Sequence, residues 1–270
     1  MTDNVIDFRT WATARSRRRH PSAYTPDAPP SRIGDHSPAS LWRADFAVHA
    51  NQHADVSTSG MWVLAPVVEQ SLRESLPIFQ LGEIGSGRHL LDSACGTVSE
   101  DHLQALRSFV IENQEHARLL ALVCSALDID MLDDHWTERL FRQSRYLRGF
   151  RVEMLMIVIA QLVTAQFYEM LAQGIGDPTL SRIFARLHTD ELRHLEFHAA
   201  TLPEHFERWP TAVHATIKVL WHIAAGVAVI ASTWENRRLI RASGARTRTF
   251  AVDTWRTVRA QGQRFFQTAE

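Results

Sequence analysis

From Trp42 onward the apolar residues recur at helical spacing, interrupted by capping residues and short breaks rather than by the alternation of strands. A first long helix is predicted over about Pro66 to Leu91, with Leu72, Leu76, Phe79, Glu83 and Leu90 on one face and a kink at Pro77. Asp92 to Val98 reads as a connection. Ser99 then caps a second helix whose first turn carries Glu100 and Asp101, at the positive end of its dipole, and which runs to about Leu127. An aspartate-rich loop, Asp128 to Asp134, leads to a third helical stretch from near Trp136 to Gln173, with a break at Gly149. Asp177 as cap and Pro178 at the first helical position open a fourth helix that ends near Leu202, before Pro203. A fifth, strongly apolar helix runs from Pro210 to near Gly244, and a sixth covers Phe250 to Phe266. With no internal repeat and no run of strands, the fold class is all-α.

The first forty residues break this pattern. They hold Pro21, Pro26, Pro29, Pro30 and Pro38 and a basic run of Arg15, Arg17, Arg18 and Arg19, and read as a flexible arm preceding a helical domain over 41–270. The arginines evoke an export signal, but the adjoining segment, Pro21 to Ser40, lacks the apolar stretch that such a signal needs. A formal net charge of −1 gives no reason to expect a polyanion, so a nucleic-acid partner is not indicated. Leu220 to Trp234 is the most apolar segment. It is short for a bilayer span and comes after Lys218, so a buried helix and no membrane partner are expected. Cys95 and Cys124 lie among apolar residues and read as reduced core thiols, consistent with a cytoplasmic protein.

Candidate chemistry shows where polar residues fall on apolar faces, since a buried polar group is costly without a partner. The inward stripe of the second helix, Leu106, Phe109, Val110, Ala117 and Leu120, is broken by Asn113 and His116. That of the fourth is broken by Glu191 and His194, while Arg186, Arg193 and Glu196 point away. The third helix has an all-round apolar run, Met154 to Ala160, and then Gln161, Thr164 and Tyr168 on one face. Glu83 interrupts the first. Glu191 and His194 are three apart, hence side by side, and can hold one ion together. His188 and His198 flank that pair and read as ordinary hydrogen-bonded histidines.

These residues resemble a known pattern. Phe79-Gln80-Leu81-Gly82-Glu83, the run Phe109 to Ala117, Phe167-Tyr168, Asp177-Pro178 and above all Asp190-Glu191-Leu192-Arg193-His194 are similar to elements of the ferritin-like (carboxylate-bridged di-iron) superfamily, over about residues 60–205. The resemblance implies a four-helix bundle, here with additional C-terminal helices, in which two helices give one Glu each and two give a Glu-x-x-His. Carried over, Glu83, His116, Glu191 and His194 are metal ligands, and Asn113 and Gln161 stand where two more carboxylates belong. Glu112 and Glu115 are rotated off the second-helix stripe. The remaining set matches one divalent ion in charge rather than two.

The implied function is a non-haem metal oxidoreductase or oxygenase, using iron (mono- or dinuclear, with manganese as the other candidate) and dioxygen on a small substrate. Tyr168 and Thr164 would be hydrogen-bond donors, or Tyr168 a radical-forming phenol, beside the metal. The alternative is a non-enzymatic binding or structural protein in which Asn113 and Gln161 close a metal-free polar network with Glu83 and Glu191. An exposed apolar stripe on the fifth helix would favour a homodimer.

Overall fold

The computed structural model describes residues 37–50, 62–85, 87–136, 139, 149–207 and 209–267. Most of the expected arm, its basic run, and much of the third helical stretch before Gly149 lie outside them. All the described residues but Ser37 belong to one compact unit, Pro38–Glu270. Among them there is no strand, and the fold is all-α. The helices are α1 (Pro38–His49), α2 (Pro66–Glu83), α3 (Arg88–Ala94), α4 (Glu100–Ala126), α5 (Phe150–Gly174), α6 (Pro178–Thr201), α7 (Thr211–Glu235), α8 (Arg237–Ala242) and α9 (Thr247–Phe265), with a 3-10 turn at Pro203–His205.

The expected caps are present. The Ser99 side chain accepts from the His102 backbone N–H, and Asp177 accepts from those of Thr179 and Leu180. The first predicted helix, however, stops at Glu83 and resumes as α3, which reaches Ala94 inside the expected connection. Gly87 has φ +65°, and a Cβ there would overlap the Val110 side chain. Only glycine lets α4 pack this close. The fifth predicted helix likewise divides, into α7 and α8, at Asn236.

Helix directions emerge from which residues meet. Along α5 and α6, Ala172 meets Ser181, Ala165 meets His188 and Gln161 meets His194. One number rises as the other falls, so the pair is antiparallel. Along α4 and α6, His116 meets Asp190, Glu112 meets His194 and Phe109 meets Phe197. Glu83 meets His116, and Arg73 reaches the Asp128 carbonyl just past α4, so α2 and α4 are also antiparallel. Hence α4 and α5 run parallel. Between Leu127 and Gly149 the chain must return the length of the bundle, about 37 Å for a helix as long as α5.

The all-round apolar run is central, as expected. Met154, Val158 and Leu162 are fully buried, and α5 packs against α6, α7, α9 and α3. Two expectations are corrected. Cys124 is buried but Cys95 is exposed, since it lies just past the end of α3. The Leu220–Trp234 segment is not a buried helix: α7 buries Trp221, Ala225, Val229 and Thr233, while Val219, Ile223, Val227, Ile230 and Trp234 face outward uncovered. A helix apolar on every side has one more apolar face than α5 and α9 cover. Both α5 and α7 are long and apolar enough to cross a membrane, but the α5 window is 72% buried in the protein, against 17% for α7.

Candidate metal centre

Four helices deliver polar side chains to one buried point. Glu83 is the last residue of α2, His116 lies in the middle of α4, Gln161 and Tyr168 on α5, and Glu191 and His194 on α6. Donor atoms of Glu83, His116 and Glu191 all lie within 4.8 Å of one another. His116 Nδ1 is 3.3 Å from Glu191 Oε1, and His194 Nδ1 is 3.8 Å from Glu191 Oε2. The two imidazole centroids are 5.5 Å apart. His116 and His194 are wholly inaccessible to solvent and Glu191 nearly so.

Each histidine turns one nitrogen to the centre and the other to an outer carboxylate. His116 Nε2 is 3.4 Å from Asp190, and His194 Nε2 is 2.8 Å from Glu112. Each outer acid meets an arginine in turn: Arg186 Nε donates to Asp190 at 3.2 Å, and Arg193 donates to Glu112. A carboxylate behind a ligating imidazole fixes its orientation and raises its basicity. With those acids neutralised by arginines, the charge of the inner set rests on Glu83, Glu191 and the protonation of the two rings.

Burial opposes every charge here, and the partners decide which survive. It pushes the Glu83 carboxyl up, and the nearby Glu191 charge adds to this. It also pushes Glu191 up, but hydrogen bonds from His116 and His194 outweigh it and hold that carboxyl down. Burial lowers His116, yet hydrogen bonds to Asp190 and Glu191 win and raise it to about 10. His194 is raised in the same way, through Glu112 and Glu191. Burial and the Glu83 charge keep Tyr168 a neutral phenol, and its hydroxyl donates to Glu83 Oε1 at 3.1 Å.

The remaining sequence candidates are placed less directly. The Thr164 hydroxyl donates to the backbone carbonyls of Ala160 and Gln161, within its own helix. The Gln161 amide nitrogen is 3.2 Å from His194 Nδ1, while its oxygen and that of Asn113 are buried without a hydrogen-bond partner. His188 bonds the Ala165 carbonyl. His198 lies between Phe109 and Phe197, and neither of its nitrogens has a partner.

No family model, curated protein or solved structure matches this chain.

The helix patterns alone do not disclose three participants: Glu112, Asp190 and Arg193. Glu112 is rotated off the α4 stripe, and Arg193 sits on the outer side of the α6 stripe. Both are covered because α1 packs along α4 and α6. Phe46 of α1 lies against His194 with centroids 6.0 Å apart, and the Arg193 guanidinium sits 5.5 Å over the Phe46 ring. The buried arc of α4 is therefore wider than one stripe. The available signal was Trp42 and Phe46, aromatic at i and i+4 on a helix that needed a partner.

Beside the centre lies a cavity of about 520 Å³ between α2, α5 and α7, reaching Glu83, Asn113 and Gln161. Its wall is mainly apolar, including Phe79, Met156, Val163 and Ala228.

Proposed function

We propose that the cluster binds one divalent transition metal, iron or manganese, through Glu83, His116 and Glu191, and that the protein is a ferritin-like non-haem oxidoreductase or oxygenase acting on a small substrate. The observation that carries this reading is the orientation of the histidines: His116 and His194 each face the inner acids with Nδ1 and an arginine-neutralised carboxylate with Nε2.

The donors fit one ion. Ligands about 2.1 Å from a metal are at most about 4.2 Å apart, so a cluster within 4.8 Å closes on an ion by small shifts of its side chains. His194 becomes a fourth ligand once the Gln161 amide turns away from its Nδ1. Mixed imidazole and carboxylate ligands that leave coordination positions open suit iron that reduces dioxygen, the chemistry a bound metal would supply here. The chain's own residues do the rest. Asp190 and Glu112 hold the imidazole tautomers, Tyr168 holds Glu83, and the aromatic wall of α1 excludes water from the His194 side.

The antiparallel pairs joined by one long return also support the ferritin-like reading, since that architecture includes bundles with a single crossover. Asn113 and Gln161 in place of two acids favour a single ion. A second reading, a metal-free bundle serving binding or structure, rests on charge: the two imidazoles, both raised, balance Glu83 and Glu191 without an ion. In its expected form it would have the amides bond those acids. Instead the Gln161 amide nitrogen, the group that could donate to those acids, faces His194.

The deciding experiment is metal analysis of protein expressed with added iron, for the parent and for His116→Gln. About one iron per chain, lost in the variant, supports the proposal. Parent protein free of iron and manganese would leave the second reading. Asn113→Glu with Gln161→Glu is expected to raise the content towards two.

A further inference from the structure

The cavity beside the centre has a chemical character of its own. Three carboxylates line it, Glu83, Glu153 and Glu235, against one arginine and one histidine, Arg88 and His89. An incoming anion meets an acidic excess. A cation gains little, because each acid is already engaged. Glu83 accepts from Tyr168, Glu153 lies 2.8 Å from His89 Nδ1, and Glu235 lies 3.3 Å from His135. Most of the remaining wall is hydrocarbon. A pocket of this size holds a drug-sized molecule, and these walls select an uncharged one.

Two amides in its lining select further. Asn113 and Gln161 both line the cavity, and the side-chain oxygen of each is buried without a hydrogen-bond partner. Two orphaned acceptors on residues that line an apolar pocket are costly unless a ligand donates to them. They line the same cavity as Glu83, whose carboxylate belongs to the metal cluster. We infer that the cavity binds an uncharged, largely apolar molecule bearing a hydroxyl group, and that this hydroxyl donates its one proton to the carbonyl oxygen of Gln161. The Gln161 amide is then what a neutral hydroxylated ligand requires where a further carboxylate would help to hold a second ion. As a substrate site the cavity rests on the metal reading above; as a binding site it does not.

The test is fluorescence titration of the metal-free protein with 2-naphthol, naphthalene, 2-naphthoate and 2-naphthylmethylammonium. 2-Naphthol should bind about tenfold tighter than each of the other three, the value of about one net hydrogen bond. Gln161→Met, nearly isosteric, should weaken 2-naphthol by about tenfold and leave naphthalene unchanged, so the naphthalene titration also reports that the pocket is intact. Ala228→Trp, on the α7 wall, should abolish binding of both without changing metal content. His116→Gln should remove metal and leave 2-naphthol binding in place. The inference is overturned if naphthoate or the ammonium binds as tightly as 2-naphthol, if Gln161→Met affects 2-naphthol and naphthalene alike or neither, or if Ala228→Trp leaves binding intact. Parent protein that binds 2-naphthol as described but takes up no metal would sink the metal reading and uphold this one.

Discussion

The core contains two groups of histidines, and they behave in opposite ways. His116 and His194 sit 5.5 Å apart among carboxylates, and His116 is raised to about 10. His102 and His205 sit 5.3 Å apart among aromatic rings, with His198 nearby, and His102 and His205 are each lowered to about 4. Burial lowers both kinds. What differs is that the first pair has acids on both nitrogens, whereas His102 Nε2, His205 Nε2 and both nitrogens of His198 have no hydrogen-bond partner. His102 instead packs edge-on against Phe150 and Phe197. Burial alone makes a histidine a neutral packing residue, and surrounding acids make it a charge that the fold, or a metal, has to balance.

The sharpest way to break this contrast is to replace one histidine from each group with phenylalanine. His116→Phe leaves Glu83 and Glu191 with only one of their two imidazoles, takes a partner from Asp190, and should cost about 3–5 kcal/mol in the metal-free protein. His198→Phe removes a ring that hydrogen-bonds nothing and should change stability by no more than about 1 kcal/mol. Urea denaturation of both variants reads the difference, and equal losses would mean that the acids do not distinguish the groups. Next in size is Glu112→Gln, which keeps an accepting oxygen but removes the negative charge that His194 and Arg193 share. It should cost about 2 kcal/mol, because Asp45, 3.5 Å from Arg193, remains as a partner.

The acidity of the medium separates the groups without mutation. Between about 4 and the ordinary histidine value of 6.5, unfolded chains hold protons on His102 and His205 that the folded protein refuses, so stability falls as pH drops through that range. His116 works in the other direction. Its contribution is fully present below 6.5 and is lost as pH rises towards about 10, where the folded protein releases its proton. The stability of the metal-free protein, read by urea denaturation across pH, should therefore peak near neutrality, each limb sloping by at most about 1.4 kcal/mol per pH unit per proton. His102→Phe should flatten only the acid limb and His116→Gln only the alkaline one. The smallest expected effect is that of Tyr168→Phe. It removes one hydrogen bond from Glu83, costs about 1 kcal/mol by denaturation, and lets that carboxyl rise further.

Much of the helical frame was legible because caps and breaks are local. Ser99, Asp177 and Pro178 act where they stand, whatever packs around them. The inner residues were legible because each interrupts an apolar stripe: Glu83, His116, Glu191 and His194 all arrive at or beside one point. The outer acids were not, because their burial is conferred by another helix. Glu112 reads as a surface glutamate until α1 is laid over it, and Arg193 reads as outward until it has Glu112 and Phe46 to meet. The uncovered face of α7 was hidden for a related reason. An apolar residue signals burial only if enough neighbours exist to bury it, and the pattern of one helix does not count its neighbours.

The long return between α4 and α5 bears on the order of assembly. The α5–α6 hairpin closes through Ile175, Gly176 and Asp177, and α2–α4 closes through α3. Each is a local event with little loop entropy to overcome. Glu83 and His116 belong to one hairpin, and Gln161, Glu191 and His194 to the other. The candidate centre therefore does not exist until the two hairpins dock, and every acid in it stays hydrated until that moment. The slowest step in making this protein should be the one that creates its most expensive interior, and an ion able to bridge the two halves would bind the seam along which they come apart.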